Sequence, residues 1–374
     1  MSEIYGNRGI EIAGGAGAVA WDSTGKRYID FMCGHGAALF GHAHPALVTA
    51  LNEASGRPWT VGAGMRSPQR EKFIEQLRDL VPDARVYLSN SGAESIEAAL
   101  KLAVALRPGR KRILALRRAF HGRTLGALSL TFNPQYRKYW KDLLPEVTHI
   151  SPENAAEEVD ENTVAVFIEP VQGEGGVYPL SEETLKDIRN ACNAKDVLIV
   201  ADEIQSGWGR CGKVLASRVL GLEPDITCFA KGVAGGLPIG VTLWSRDLGD
   251  FPVKGHGSTY GGNPLVCSVA SKAYDLLKSE KYPEKAARDG EAFRSAIKNM
   301  ASPLVTEVRG VGLLTGIGLT VKANLVVNGL EEKGILSLNA GPMVLRFLPP
   351  FTALDEHYDQ VLVSLKEILE GLEK

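Results

Sequence analysis

The sequence predicts an α/β protein, with a large domain on a mostly parallel sheet joined to a smaller α+β domain. Three observations predict it. Short apolar runs at Arg85–Ser89, Arg112–Leu116, 164–168, 197–201 and 226–230 have strand length, and segments of helical character, 94–106 and 181–195, fall between them. The runs at 197–201 and 226–230 are apolar at consecutive positions, as strands buried on both faces are. These two runs also end abruptly in a charged residue, Asp202 and Lys231. In an open parallel sheet, ligands sit outside the carboxyl ends of the strands.

At 374 residues the chain has the length of two domains. The expected division is an N-terminal segment, 1–45, contributing to the small domain, a large domain over 46–265 and a C-terminal small domain over 266–374. Lysine and arginine (42) nearly balance aspartate and glutamate (44), for a net charge of −2 and a pI near 6.4. That balance argues against a nucleic-acid or anionic-membrane partner. No apolar run approaches the ~18 residues of a membrane span, and MSEIYGNRG lacks the apolar core of a signal peptide. Cys33, Cys192, Cys211, Cys228 and Cys267 are widely spaced and form no CxxC pair, which fits free thiols in a reduced, cytoplasmic setting. Internal repeats and low-complexity tracts are absent.

Residues 1–32 are rich in glycine and turns. GGAGAVAWDSTGKRYIDFM alternates apolar and polar residues around a turn at 23–25, which predicts a small antiparallel hairpin. His42 and His44 in GHAHP have metal-binding chemistry, but no third ligand stands near them in the sequence. Pro45 suits a first helical turn. A helix is expected over 46–54, then a loop, 55–68, and a second helix from about 69 to 80. SNSGAES follows the strand Arg85–Ser89 and puts Ser91, Gly92 and Ala93 at a helix N-terminus. Free N–H groups and the helix dipole favour a phosphate there; plain N-capping by Ser91 explains the same residues. The strand Arg112–Leu116 runs towards AFHGRT, where Phe120 alone reads as core and Arg123 as a surface charge. The run 164–168 leads into EPVQGEGG, whose turn at 172–176 reads by itself as a glycine-rich loop. Ser181 opens a helix with Glu182 and Glu183 in its first turn, where the dipole favours acids.

VLIVADEIQSGWGR and ITCFAKGVAGGLPIG come next. Singly, Asp202 reads as a helix cap and Lys231 as a solvated charge. Together, a carboxylate and an amine delivered to one sheet edge fit a cofactor that needs one anionic and one nucleophilic contact. Pyridoxal 5'-phosphate is such a cofactor. An adjacent carboxylate keeps its ring nitrogen protonated, so that the ring acts as an electron sink, and a lysine carries its aldehyde as a Schiff base. Farther on, 263–278 predicts a helix leading to the smaller domain, with strands at 305–308 and 313–319. GVGLLTGIG in that stretch is a weak dinucleotide fingerprint with no helix after it, and that reading is rejected.

DEIQSGWGR followed by FAKGVAGGLPIG resembles the fold-type I pyridoxal-phosphate enzymes, in particular the class III aminotransferases of the ornithine type. The resemblance covers about residues 8–372, with its motifs in the family's order. It implies that Lys231 is the catalytic lysine, that Asp202 faces the ring nitrogen, and that Ser91, Gly92 and Ala93 form the phosphate cup. Phe120 and Ile204 would cover the two faces of the ring, and Gln205 would reach its hydroxyl. Arg123 matches an arginine that binds a substrate carboxylate, a task suited to a planar two-pronged donor. Glu174 matches a glutamate that pairs with a late arginine, here Arg346 in NAGPMVLRFLPPF, and regulates which substrate binds. GHGSTYGGNP resembles a segment that crosses a dimer interface, and so implies a homodimer. Thr259 would bind the neighbouring subunit's phosphate, and Ser258 would line the substrate site. VGAGMRSP departs from the aromatic-containing stretch that shapes the substrate entrance in bacterial acetylornithine aminotransferases.

The implied reaction is ω-amino transfer between glutamate/2-oxoglutarate and the terminal amine or semialdehyde of an ornithine or lysine whose α-nitrogen is masked. SLTFNPQYRKYW and LEEKGILSLNAGPMVLRFLPP resemble archaeal-type enzymes of lysine and arginine biosynthesis. In those enzymes an amino-group carrier protein is the mask; bacterial acetylornithine aminotransferases use an acetyl group. Other readings stay open: a glutamate-1-semialdehyde aminomutase or another class III aminotransferase, and a cofactor-binding protein without catalysis or a purely regulatory subunit.

Overall fold

The computed structural model describes Ile4 and residues 8–62 and 64–373. Most of MSEIYGNRG, Ala63 in the VGAGMRSP loop and Lys374 lie outside the described residues, and with them small parts of the expected 1–45 and 266–374 units.

Seven strands form the central sheet, in the order Arg85–Ser89, Gly240–Trp244, Ile226–Phe229, Leu198–Asp202, Thr163–Ile168, Arg112–Leu116, Thr148–Ile150. Gly240–Trp244 runs antiparallel to both of its neighbours. The remaining ladders of this sheet are parallel, as the apolar runs predicted. Side chains alternate across the sheet. Leu114, Leu116, Val166, Ile168 and Ile199 pack on one face with Leu185, Ile188 and Cys192 of the helix Glu182–Lys195. Ile113, Ala115, Ala165, Phe167, Leu198 and Val200 pack on the other with Ile96, Ala99, Leu102 and Ala103 of the helix Gly92–Leu106. Both faces are covered, which is why these runs are apolar at every position.

The helices fall close to their expected places. Pro45–Ser55 and Pro68–Arg78 each begin on proline. Ser181 caps Glu182–Lys195, its hydroxyl accepting from the Thr184 amide at 3.0 Å. The expected hairpin is Val19–Asp22 with Arg27–Asp30, its turn held by Asp22 Oδ1, which accepts from the Thr24 and Lys26 amides at 2.9 and 3.0 Å. Ile335–Leu336 adds to this sheet in parallel with Arg27–Asp30. GVGLLTGIG lies across the antiparallel pair Val305–Val311 and Leu314–Leu319. The helix Pro264–Ser279 leads from the central sheet to the helices Tyr282–Asn299, Ala323–Glu332 and Asp355–Leu372. Phe31, Phe293, Phe347 and Tyr358 meet there in one aromatic cluster. The imidazoles of GHAHP face separate partners, His42 Nε2 with Asp30 at 2.8 Å and His44 Nε2 with the Tyr282 hydroxyl at 3.4 Å. All five cysteines are buried and unpaired. No helix among the described residues is long and apolar enough to cross a membrane.

After Asp202 the chain leaves the sheet in a long loop that is tied down by Glu203. This carboxyl is buried and accepts from the amides of Ala216 and Ser217, the latter at 2.9 Å. Burial pushes it up to about 7, against those hydrogen bonds and with help from Asp202. The folded protein therefore binds a proton there that the unfolded chain, with a carboxyl near 4.5, has released. Stability from this group is fully present below the unfolded value and declines as pH rises through the folded one. Unfolding stability should thus fall between about pH 4.5 and 7 by up to about 1.4 kcal/mol per pH unit on account of Glu203. Glu203→Gln should flatten that slope, while costing about 1–3 kcal/mol because an amide N–H then faces backbone donors. Urea titrations of both proteins across this range check it; parallel pH profiles would assign the slope elsewhere.

Candidate functional site

The loops leaving the carboxyl ends of five central strands converge on one cavity of about 360 Å³. Arg85–Ser89 delivers residues 90–93, Arg112–Leu116 delivers 120–123, and Thr163–Ile168 delivers Glu169 and Glu174. Leu198–Asp202 brings Asp202, Ile204 and Gln205, and Ile226–Phe229 brings Lys231. The antiparallel strand Gly240–Trp244 enters from the same edge, and residues 236–239 just before it close the wall.

Asp202 is 4% exposed and held from two sides. Its Oδ2 lies 2.7 Å from His121 Nδ1, and its Oδ1 accepts from the Ile204 amide at 3.0 Å. His121 is itself fixed, its amide donating to Thr131 Oγ1 at 2.9 Å and its ring edge-on to Phe167. Glu169 stands beside Asp202 and accepts from the Phe120 amide at 2.8 Å. Burial, then the charge of Asp202, raises Glu169 well above the usual carboxylate range.

Lys231 follows the strand by two residues and takes a positive φ of 41°, a conformation that costs a non-glycine residue about 1–3 kcal/mol. The tight helix Lys231–Ala234 begins on it. Burial lowers the basicity of its amine, opposed by Glu174 and Asp202 and reinforced by Arg346. An amine of lowered basicity at the end of a strand is equipped for nucleophilic attack and for proton transfer.

At the helix start, Ser91 caps as expected, its hydroxyl accepting from the Glu94 amide at 3.2 Å, and the Glu94 carboxylate accepts from the Asn90 amide. The helix begins at Gly92, so Gly92 and Ala93 occupy the first turn, beyond the reach of intrahelical bonding for their N–H groups, on the cavity wall. A Cβ on Gly92 would come within 2.8 Å of Ile204 Cδ1, so only glycine lets Ile204 pack over the helix start.

Arg346, 1% exposed, pairs with Glu174 at 2.7 Å. Gln205 bridges the two, its Oε1 accepting from Arg346 at 3.2 Å and its Nε2 donating to Glu174 at 3.5 Å. Burial raises Glu174, but the Arg346 guanidinium prevails and holds it below the ordinary carboxylate value. Beyond this pair lies a second, outer cavity of about 730 Å³, which shares Phe120 and Glu174 with the first. Arg123 is exposed at the inner cavity, and its guanidinium stacks 3.6 Å over the Tyr136 ring and 5.5 Å from that of Phe120. Ser258 Oγ accepts from Asn90 Nδ2 at 3.1 Å, next to the cavity wall. Thr259 is exposed and lies outside both cavities. A Cβ on Gly261 would meet the Leu88 carbonyl at 2.1 Å, so this loop can lie against the central sheet only with glycine there.

The residues brought together fit pyridoxal phosphate. A helix start supplies amides for the phosphate, an oriented carboxylate faces the cavity, and an amine of lowered basicity shares it. The motif reading does not single out Glu169 or His121. Glu169 carries the signal that marked Asp202, an acid directly after an apolar run. His121 sits inside AFHGRT but pairs with a residue 81 positions away, which no local pattern discloses.

A family model described as aminotransferase class-III matches residues 3–369. A protein of Pyrobaculum aerophilum described as a putative LysW-aminoadipate semialdehyde/glutamate semialdehyde transaminase is 40% identical over 383 residues, covering 100% of this chain and 99% of that one. The acetylornithine aminotransferase of a Synechocystis species is 36% identical, covering 100% and 92%. Among solved structures, an ornithine aminotransferase from Toxoplasma gondii superposes with a TM-score of 0.95 at 31% identity, covering 100% of this chain and 93% of that one.

The strain at Lys231 has a measurable counterpart. Asparagine tolerates a positive φ and carries no charge to bury. Lys231→Asn should therefore leave the cofactor-free protein at least as stable as its parent, by up to about 1 kcal/mol in urea unfolding. A clear loss of stability would mean that the attraction of Glu174 and Asp202 for the ammonium outweighs burial and strain together.

Proposed function

The chain belongs to the class-III aminotransferases, a pyridoxal-phosphate-dependent family, and on that footing we propose that it is an ω-aminotransferase of lysine or arginine biosynthesis, moving an amino group between glutamate/2-oxoglutarate and an α-masked ornithine or lysine. The names of its relatives support this reading. The observation that carries it is the Glu174–Arg346 pair beside Lys231 and Asp202. Glutamate has a carboxylate next to its reacting carbon and a second one at its far end. A masked diamine has no carboxylate at the reacting carbon. One pocket that serves both needs a cation for the first substrate and a way to neutralise it for the second, because a buried guanidinium without a partner is costly.

In this reading Gly92 and Ala93 hold the phosphate with their amides, and Phe120 and Ile204 enclose the ring. Asp202 Oδ keeps the proton on the ring nitrogen, with His121 Nδ1 fixing the carboxylate's direction. Bound pyridoxal phosphate supplies the electrophilic aldehyde and an electron-withdrawing ring. Lys231 Nζ would hold that aldehyde and would take the proton from the substrate carbon. Its lowered basicity suits both tasks. Arg123 takes the far carboxylate of glutamate, swinging from its stack on Tyr136. Arg346 takes the near one, and Glu174 neutralises Arg346 when the masked amine is bound.

Three further features belong to the same proposal. The position of Thr259 outside this chain's own cavities supports its acting on a second copy of the chain in a homodimer. A carrier-protein mask is supported by the names of the relatives and by the volume of the outer cavity, far more than a free amino acid fills. Five buried, unpaired cysteines support a cytoplasmic setting, and the parallel pairing of Ile335–Leu336 with Arg27–Asp30 supports assigning 1–45 and 266–374 to one small domain.

Stopped-flow half-reactions test the pair. Arg346→Ala should impair deamination of glutamate by about 2–5 kcal/mol and that of N-acetylornithine less. Glu174→Ala should do the reverse, leaving glutamate favoured. Equal losses for both substrates in each variant would make the pair a structural salt bridge and remove the switch.

A further inference from the structure

Met32 is followed by four consecutive residues with positive φ, Cys33, Gly34, His35 and Gly36, at 55°, 55°, 55° and 88°. A left-handed run of this length is held only where its surroundings dictate it. Here buried Asp30 does so, its Oδ1 accepting from the Met32 and Cys33 amides at 2.9 and 2.7 Å. His35 is placed by this turn on the lining of the outer cavity, together with Glu174 and Arg346. Its imidazole makes no hydrogen bond or ion pair among the described residues. A strained turn therefore presents an unengaged titratable group to the cavity that holds the ion pair.

The geometry points to His35 as a specificity-determining third member of the Glu174–Arg346 switch: when a substrate carboxylate takes Arg346, His35 accepts a proton and becomes the counter-charge of the displaced Glu174. This rests on the reading of Glu174 and Arg346 given above. No bond to carbon forms or breaks; one proton passes from solvent to the imidazole on dicarboxylate binding and returns when the dicarboxylate leaves. The charged groups around His35 come from separate elements: Glu174 after Thr163–Ile168, Arg346 on Val344–Phe347, Lys231 after Ile226–Phe229, and Arg8 near the start of the chain. Desolvation lowers the imidazole, Glu174 pulls it up, and Arg346, Lys231 and Arg8 push it down, with a net lowering. While Glu174 is engaged with Arg346, His35 is thus neutral near pH 7. Covering Arg346 with a carboxylate removes one opposing charge and frees Glu174, so the imidazole rises. A group whose pKa rises on binding takes up a proton, and the binding it favours weakens as pH climbs through the raised value.

The test uses the cofactor-loaded protein and glutarate, a dicarboxylate with no amine to transfer. Calorimetric titrations in two buffers of different ionisation enthalpy measure proton uptake directly. With the parent protein, glutarate should bind with uptake of about half a proton near pH 7, and butyrate, with a single carboxylate, with little. His35→Asn keeps a residue that tolerates the left-handed backbone but cannot be charged, and His35→Gly relieves the backbone altogether. Both variants should lose the uptake. Both should bind glutarate roughly 5- to 10-fold more weakly near pH 6 and equally well near pH 9, as linkage to a single imidazole requires. Uptake that persists in both variants would overturn the role of His35, as would an equal loss of affinity at every pH. A parent protein that binds glutarate and deaminates glutamate, with such variants, would leave the transaminase reading standing alone. A parent protein that did neither would remove that reading and this inference with it.

Discussion

A parallel hydrogen-bonded ladder sends the carboxyl ends of its strands to one edge, and the cavity is a product of that geometry. Strands about 4.8 Å apart place the loops after Ser89, Leu116, Ile168, Asp202 and Phe229 within reach of a single small molecule. The register sets the detail. Asp202 lies opposite Cys228, so Lys231 emerges three residues beyond it on the neighbouring strand. The reversed strand Gly240–Trp244 joins the same edge by its beginning instead of its end, and residues 236–239 complete the wall. The cores on the two faces of the sheet serve the site indirectly, by holding the strands in this register.

Charge is concentrated where those ends meet, and the protein manages each charge differently. Asp202 is held by His121 and the Ile204 amide. Glu169 is raised by burial and by the charge of Asp202. Arg346 is paired with Glu174, and burial lowers the basicity of Lys231 against the pull of Glu174 and Asp202. These responses are coupled through space, since every one of these groups feels at least one of the others. A substrate that brings carboxylates into the cavity therefore changes all of them at once. Selectivity in such a site resides in the charge balance as much as in shape.

Much of the cavity was legible before any coordinates, and the reason is local. Asp202 and Lys231 stand out because a charge after an apolar run is abrupt, and Ser91–Gly92–Ala93 because a capping residue and small neighbours announce a helix start. The pairing of Glu174 with Arg346 was legible only through resemblance, the two being separated by nearly half of the chain. The strand Gly240–Trp244 escaped notice, and its reversed sense leaves no mark in an apolar run, which reads the same in either direction. The helix expected from 94 begins two residues earlier because the Ser91 hydroxyl reaches the Glu94 amide. Gln205 was expected at the cofactor ring, and its amide is found on the Glu174–Arg346 pair, a tertiary contact without local signature. His35 was invisible for the same reason: its neighbours in space come from four distant segments.

The pairing of Arg27–Asp30 with Ile335–Leu336 reaches beyond the finished fold to the order in which the chain is made. A ribosome adding about 5–20 residues per second delivers the second strand roughly 15–60 s after the first. For that interval the Arg27–Asp30 edge has no partner, and an unpaired edge is a template for joining other chains. Tyr28 and Ile29, buried in the end, wait beside it. Pairing along this edge therefore waits for about 300 further residues to be made, and the nascent chain is exposed to association with its neighbours during that interval.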